Sequence, residues 1–358
     1  MEKLAPRSFA YEWDNAGLQI GSHNNEVKRV MITLDVLEHV VDEAIDQEVN
    51  LIVSHHPLLF QPMKQIDTDT PKGRILQKLI QHNITVYSSH TNLDIAYGGV
   101  NDILCEKIGI ENTNNLIQTK QNKLYKVVIY VPESHRSNVM DAMSDAGAGH
   151  IGNYSHCTFQ TKGQGTFKPL QGTNPYIGTQ DELEFVDEVK IESIAEEDIL
   201  NKVVNSMVEA HPYEEAAYDV FPLVNEGEKY GLGRIGTLQK KVNVKELCDH
   251  IKGVLKLKSL RVTGDLEKQV KRIAVLGGSG EKYWAQAKQK GADVFITGDM
   301  TFHAAQEAWQ DGMVIIDPGH YSEYVMKSAV KNYLNNELES TDVDVIESVS
   351  NTDPFQTV

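Results

Sequence analysis

One pattern occurs twice in the chain, and it restricts the fold more than any other feature. Residues 27–36 read VKRVMITLDV, followed by the helical EHVVDEAIDQEVN and then by LIVSHHPLLF. Residues 270–280 read VKRIAVLGGSG, followed by EKYWAQAKQKGAD and VFITGDM. In each copy a β-branched strand follows Val-Lys-Arg, an amphipathic helix follows the strand, and a second apolar strand ends in a polar turn. Arg29 and His56 are 27 residues apart, and so are Arg272 and Asp299. Each copy then continues into another helix and a third strand, ITVYSSHTNLD in one and MVIIDPGHYSE in the other. Alternation of this kind produces parallel sheets with right-handed crossovers. The expected fold class is therefore α/β, with two duplicated lobes whose sheets are rich in parallel strands.

The stretch between the copies has another character. LYKVVIYVPESHRSNVMDAMSDAG and FVDEVKIESIAEEDILNKVVNSMVEA each read strand then helix, and the second is followed by a strand-like AAYDVFPL. Two such units in tandem predict a ferredoxin-like α+β sandwich, an antiparallel sheet with helices on one face. The Gly-, Gln- and Thr-rich section 147–179 is expected to supply loops and hairpins within it. The division is then 1–123 for the first lobe, 124–224 for the insert and 225–358 for the second lobe. The two lobes together form one domain, and an insertion between them is tolerated because the ends of compact units often lie close together.

A length of 358 residues also favours more than one domain. Acidic side chains outnumber basic ones 51 to 34, a formal charge of −17. Such a surface repels phosphate backbones and anionic bilayers, so neither nucleic acid nor membrane is an expected partner. Cys105, Cys157 and Cys248 are odd in number and far apart, which permits neither a disulfide framework nor a CxxC pair. They suit a reducing compartment. The start MEKLAPRSFAYEWDN lacks the apolar core of a signal peptide, and no apolar run approaches the ~20 residues needed to cross a bilayer. A cytoplasmic location is expected.

In parallel α/β sheets ligands gather at the carboxyl ends of the strands. His55 and His56 directly follow the strand LIVS, His90 and Asp94 follow ITVYSS, and His320 and Glu323 follow MVIID after the turn Asp317-Pro318-Gly319. Each segment has a plainer reading alone: His-His-Pro as a surface turn, His-x-x-x-Asp as a helix cap beside a histidine, GHYSE as a loop. Their joint placement at strand ends points to a metal site. Imidazole mixed with carboxylate suits zinc, iron, manganese or nickel, and the absence of a nearby cysteine argues against a thiolate site. Adjacent histidines on an extended segment point to opposite sides, so His55 and His56 reach different metals or one of them packs aside. If Glu323 begins a helix, its i, i+3 spacing brings it onto the face of His320. A carboxylate such as Asp94 is suited to bridging, and two cations ~3.5–4 Å apart can share and acidify one water.

Other polar motifs carry two readings each. Asp299 stands where the first copy has His56 and is expected to cap a helix starting near Phe302. His303, one turn on, either packs aside or faces the cleft as an acid or base. Gly277-Gly278-Ser279-Gly280 is either a tight strand-to-helix turn or a set of amides that hold an anion, and it matches neither a dinucleotide fingerprint nor a P-loop. Trp13-Asp14-Asn15 either leans into the same cleft or, as the simpler account, is a buried Trp beside a capping Asp.

The chain resembles the GTP cyclohydrolase 1 type 2 family, also called the Nif-three-like family. The matching segments are WDNAGLQIG (13–21), SHHPLLF (54–60), HTNLD (90–94), HPYEEAAYD (211–219), GLGRIG (231–236), GGSG (277–280), TGDMTFH (297–303) and DPGHYSE (317–323), in order over almost the whole chain. Its central stretch is similar to the insert of the longer bacterial members, which is similar in turn to the PII and CutA trimeric signalling folds. The departures are Ala216-Ala217, where many members have a proline, and a start close to the first motif. The resemblance implies two divalent metal ions per chain on His55, His56, Asp94, His320 and Glu323, zinc first, with iron or manganese as alternatives. It places His90 on the cleft wall, and His90 and His303 become the candidate acid/base residues. It implies a toroidal homohexamer whose centres face an internal cavity capped by the insert. The implied function is metal-dependent hydrolysis of a small molecule or nucleotide by a metal-activated water, with GTP suggested by the family's name. The alternative is a regulatory or metal-handling protein gated by its PII-like insert.

Overall fold

The repeated Val-Lys-Arg start has a local cause. In the first copy the amides of Lys28 and Arg29 both donate to Asn50 Oδ1 (2.9 and 3.1 Å), and Arg29 Nη1 donates to the carbonyl of Gln47 (2.7 Å). In the second, the amides of Lys271 and Arg272 donate to Asp293 Oδ2 (2.8 Å each), and Arg272 Nε donates to the carbonyl of Lys290 (3.0 Å). Each arginine thereby satisfies a carbonyl that the end of the following helix leaves without an intrahelical partner. Each Asn or Asp ties the start of the next strand to the start of the first.

The computed structural model describes residues 1–358. The first copy comprises β1 (Gly17–Ile20), β2 (Arg29–Thr33), α1 (Glu38–Asp46), β3 (Leu51–Ser54), α2 (Pro71–Gln81), β4 (Thr85–Ser88), α3 (Thr91–Ile95) and α4 (Val100–Ile108). Strands β2, β3 and β4 are parallel neighbours, and β1 adds antiparallel to β4. Helix α2 starts where its sequence says it should: Thr70 Oγ1 accepts from Gly73 N (3.1 Å), and Pro71 occupies the first helical position.

The chain continues through β5 (Glu111–Pro132), α5 (Arg136–Asp145), β6 (Thr158–Phe167), β7 (Glu184–Glu196), α6 (Leu200–Glu209) and β8 (Tyr218–Asn243). Residues Gln121–Lys229 form a compact unit of their own. Its strand order is β6-β7-β5-β8, with β7 antiparallel to both β5 and β6. Alternate residues Val127, Ile129 and Val131 of β5 and Val189 and Ile191 of β7 meet Val139 and Met143 of α5 and Val203 and Met207 of α6 in one apolar core.

Residues Met1–Lys120 and Tyr230–Val358 form the other unit. After β8 it contains α7 (Val244–Val254), β9 (Arg261–Val262), β10 (Gln269–Ser279), α8 (Trp284–Gln289), β11 (Val294–Gly298), α9 (Phe302–Gln310), β12 (Val314–Asp317), α10 (Met326–Glu337) and β13 (Asp344–Glu347). Strands β10, β11 and β12 are parallel. Ile273 pairs with Val294 as Val30 pairs with Leu51, the same offset in both copies.

The two lobes are interlocked rather than side by side. Strand β13, at the end of the second copy, pairs in parallel with β2 of the first, with Val345 opposite Val30. Arg29 Nε reinforces the join at Asp344 Oδ2 (2.8 Å). Pairing covers an edge of β2 that would otherwise carry unmatched backbone groups. One apolar core includes Ile32 and Val53 from one sheet and Ile273, Val275 and Phe295 from the other. Arg234, 1% exposed, donates to both oxygens of Asp102 (2.6 and 2.9 Å) and to the carbonyls of Ile95, Ala96, Gly231 and Gly233, which explains the GLGRIG segment. No cysteine is paired, and no helix is long and apolar enough to cross a membrane.

Candidate metal centre

Strand ends from both copies open onto one cleft of about 1800 Å³ in the unit formed by Met1–Lys120 and Tyr230–Val358. His55 and His56 follow β3, His90 and Asp94 follow β4, Asp299 follows β11, and His320 and Glu323 follow β12 in a short 3₁₀ turn, His320–Val325.

Glu323 is the hub. Its Oε2 lies 3.1 Å from His56 Nε2, 3.3 Å from His320 Nε2 and 3.7 Å from His55 Nε2. His55 Nε2 is also 3.6 Å from Asp94 Oδ1, and the Nε2 atoms of His56 and His320 are 3.3 Å apart. Two ligand groups result, His55/Asp94/Glu323 and His56/His320/Glu323, and His55/His56/His90 form a third set; within each set the ligand atoms lie within 4.8 Å of one another. Donors held at ~2.1 Å around a tetrahedral cation stand roughly 3.4 Å apart. The spacing fits.

The orientation of the imidazoles is equally specific. Nδ1 of His55 meets the carbonyl of Ser89 (2.9 Å), that of His56 meets Asp35 Oδ1 (2.6 Å), that of His90 meets Asp14 Oδ1 (2.8 Å) and that of His320 meets Asp299 Oδ2 (2.7 Å). An acceptor on one ring nitrogen fixes the proton there and turns the other nitrogen, with its lone pair, toward a cation. Asp35 is itself held by Thr352 Oγ1 (2.5 Å), and Asp14 by the amide and hydroxyl of Thr91 (3.1 and 2.5 Å).

Electrostatics show what the cluster lacks. Burial, reinforced by Glu323 and opposed by His55, pushes Asp94 up to about 6. Glu323, although burial raises it, is held well below the usual carboxylate range by His55, His320 and His56. Burial pulls His56 down, but Asp35 and Glu323 outweigh it and lift the ring to about 10. The hydrogen bond to Glu323 lifts His320 to about 9 against burial. Protons on these imidazoles thus do the work of missing positive charge. Asp94 Oδ1 is buried with no hydrogen-bond partner, a costly state unless something else binds it. Divalent cations answer both demands, so the residues present fit such ions. Close approach is needed too: a Cβ on Gly278 would lie 2.6 Å from Glu323 Oε1, so only glycine leaves room for the hub.

Several expectations change. Glu323, not Asp94, belongs to both ligand groups, because the 3₁₀ turn carries it between the histidines. Asp299 does not cap α9, whose N-cap is Thr301; it sits in left-handed backbone (φ 55°), a conformation Asp tolerates, and orients His320 instead. Of the two readings of Trp13, the cleft one holds and the buried one does not: it is 60% exposed on the cleft wall, near His90. His303 is exposed on α9 and does not line the cleft, whereas His90 does. Gly277 and Gly280 have amides already given to Asn101 Oδ1 and Thr297 Oγ1 (2.9 Å each), which leaves the turn a poor anion cradle. Asp14 and Asp35 carried a usable signal: Asp35 follows β2 just as His55 and His56 follow β3.

The model of the Duf34/NIF3 (NGG1p interacting factor 3) family matches residues 1–354. A Halalkalibacterium halodurans protein named GTP cyclohydrolase 1 type 2 homolog is 49% identical over 356 residues, covering 99% of this chain and 96% of its own length. A Bacillus subtilis protein of the same name is 46% identical, with 99% and 95% covered. The crystal structure of a Bacillus cereus protein related to NIF3 superposes with a TM-score of 0.94 at 48% identity, covering 100% of this chain and 96% of that one. A Staphylococcus aureus structure matches with a TM-score of 0.78 at 36% identity, again covering 100% and 96%.

Proposed function

The chain belongs to the Duf34/NIF3 family, and from that premise and the geometry of its cleft we propose that it holds two divalent cations and uses them for hydrolysis. The observation that carries this reading is the convergence of Nε2 atoms, each fixed by an acceptor on Nδ1, around one shared buried carboxylate. His55, Asp94 and Glu323 hold one cation, and His56, His320 and Glu323 hold the other. Zinc suits this mixed nitrogen and oxygen set best, and iron or manganese are accepted by the same ligands. Such a pair, when bound, supplies Lewis acidity and lowers the pKa of water, the chemistry of hydrolysis at neutral pH.

The protein's own groups do the rest. Asp35 and Asp299 keep the imidazoles of His56 and His320 in the orientation ligation needs. His90, held by Asp14, faces the cleft and is placed to pass a proton to or from a substrate. The relatives' name makes GTP, with opening of its imidazole ring, the first nucleotide to test. Exposed Phe302 and Trp309 on α9 support self-association, which we take to be a toroidal homohexamer in the cytoplasm.

Elemental analysis of the protein as purified is expected to give two metal equivalents per chain. Turnover across nucleotides and phosphoesters is expected to vanish in a variant carrying H55A and D94A together. Metal content near zero in untreated protein overturns the proposal.

A second reading draws on the separate unit Gln121–Lys229. Its βαββαβ order supports a ferredoxin-like, PII/CutA-like insert that senses a small molecule and gates a regulatory or metal-handling protein. Tight metal binding with no turnover of any nucleotide selects this reading over the first.

A further inference from the structure

Beyond β13 the chain passes along the cleft, and residues 348–357 line it. No apolar side chain anchors this stretch. Val349 is 89% exposed and Phe355 82%, and the two buried side chains are the hydroxyl residues Ser348 and Thr352. The attachments are polar instead. The amide of Ser348 donates to the carbonyl of Ile32 (2.9 Å), one step past the last pair of β13 with β2. Glu43 of α1 accepts from Ser348 Oγ (2.7 Å) and from the amides of Val349 and Ser350 (2.8 and 3.2 Å). Asn351 Oδ1 accepts from the amide of Asp353, and Asp353 Oδ1 from that of Phe355 (3.0 Å each), so consecutive Asx turns fix the local shape around Thr352. A segment held by hydrogen bonds alone opens more readily than one sealed by apolar contacts.

Thr352 is where this segment reaches the metal centre. Its hydroxyl donates to Asp35 Oδ2 (2.5 Å), and Asp35 Oδ1 meets His56 Nδ1 (2.6 Å). The Asp35 carboxylate has no other partner. One oxygen takes the segment, and the other turns the imidazole so that His56 Nε2 faces Glu323 Oε2 (3.1 Å). When Thr352 leaves, Oδ2 loses its donor, the carboxylate can rotate, and the ring that it orients is released with it. The other ligands escape this dependence. Nδ1 of His55 leans on the backbone carbonyl of Ser89, and Nδ1 of His320 leans on Asp299.

We infer that residues 348–355 form a strap that supports the metal centre, with Thr352 a positioning residue acting on His56 through Asp35, so that docking of the strap and occupancy of the His56/His320/Glu323 site stabilise each other. The inference rests on the proposed two-cation reading and deepens it by naming what regulates one of the two sites. Coupling of this kind is reciprocal: the factor by which the docked strap raises metal affinity is the factor by which metal suppresses opening of the strap.

The test uses the full-length protein, with metal affinity read by competition with a chromophoric chelator and amide exchange of 348–355 read by mass spectrometry with and without zinc. Thr352→Val keeps the shape of the side chain and removes the donor. It is expected to weaken one of the two metal equivalents about tenfold, the lower end of the range for groups that support a ligand. Thr352→Ser keeps a hydroxyl and is expected to bind as the wild type does. Glu43→Ala touches no ligand and is expected to weaken the same equivalent by freeing the strap. In His320→Ala, where His55, Asp94 and Glu323 remain as a set, adding T352V is expected to change nothing further. Saturating zinc should slow exchange of the Val349 and Ser350 amides about tenfold in the wild type and not in T352V. Wild-type affinity in T352V or E43A, equal losses in T352S and T352V, a further loss when T352V is added to H320A, or exchange indifferent to zinc in the wild type would overturn the strap while leaving the two-cation reading in place. A wild type that takes up no metal would overturn both, so the two failures are distinguishable.

Discussion

Gly278 offers a quantitative test of the hub. Its φ is +61°, and a Cβ there lies 2.6 Å from Glu323 Oε1 and 3.2 Å from Glu323 Cδ. Gly278→Ala therefore carries two penalties. Left-handed backbone at a residue with a Cβ costs about 1–2 kcal/mol. The methyl group also presses on a carboxylate with little freedom to retreat, because its other oxygen faces His55, His56 and His320. Gly109→Ala separates these effects. Gly109 has φ +80° at the end of α4, and a Cβ there meets nothing within 4 Å. Both variants are expected to lose at least about 1–2 kcal/mol in urea unfolding of the metal-free protein. Only G278A is expected to lose metal affinity, by about 10–100-fold, the range typical when the support of a ligand is disturbed. Competition with a chromophoric chelator measures it. Equal metal affinities in G278A and G109A would refute Glu323 as a shared ligand positioned by this turn.

Other outcomes follow from the same geometry. Asp35→Ala removes the acceptor on His56 Nδ1 and should weaken metal binding about 10–100-fold in the same competition assay; unchanged affinity counts against the orienting role. With His56 lifted to about 10, His320 to about 9 and His55 raised as well by Asp94 and Glu323 against burial, metal binding should release at least two protons at neutral pH. Calorimetry in buffers of different ionisation heat reads that number, and metal affinity should climb as the pH rises toward 9; a pH-independent affinity contradicts the ligand set. The same raised values stabilise the metal-free protein fully below the unfolded value of 6.5, and that stability is lost as pH rises through about 9 to about 10. The melting temperature of metal-free protein should accordingly fall across that window. Arg234→Ala leaves Asp102 and four carbonyls without their donor and should cost about 3–5 kcal/mol in denaturant unfolding.

Much of the site was legible in one dimension because strand ends announce themselves. A β-branched run followed at once by His-His, His-x-x-x-Asp or His-x-x-Glu places each polar group at a sheet edge before any coordinates are known. Orientation was not legible. Asp299 looked like a helix cap because the next helix begins three residues later, yet its left-handed backbone turns it to His320. Trp13 beside a potential capping Asp reads more simply as buried than as leaning into the cleft, yet it stands open beside His90. Asp94 and Glu323 were equally qualified to bridge on chemistry alone. Choosing between them required knowing that a 3₁₀ turn inserts Glu323 between histidines from another lobe.

The residue order alone determined the two βαβ copies, the change of character between them and the kinds of donor at each strand end. These depend on side-chain periodicity and local hydrogen bonds, which act over a few residues and leave their mark in the amino-acid string. Tertiary structure decided that β13 crosses to the sheet of β2, that Glu323 is the hub, and that Asp299 turns to His320. Those outcomes depend on distances between groups hundreds of positions apart, and only the packed core sets such distances.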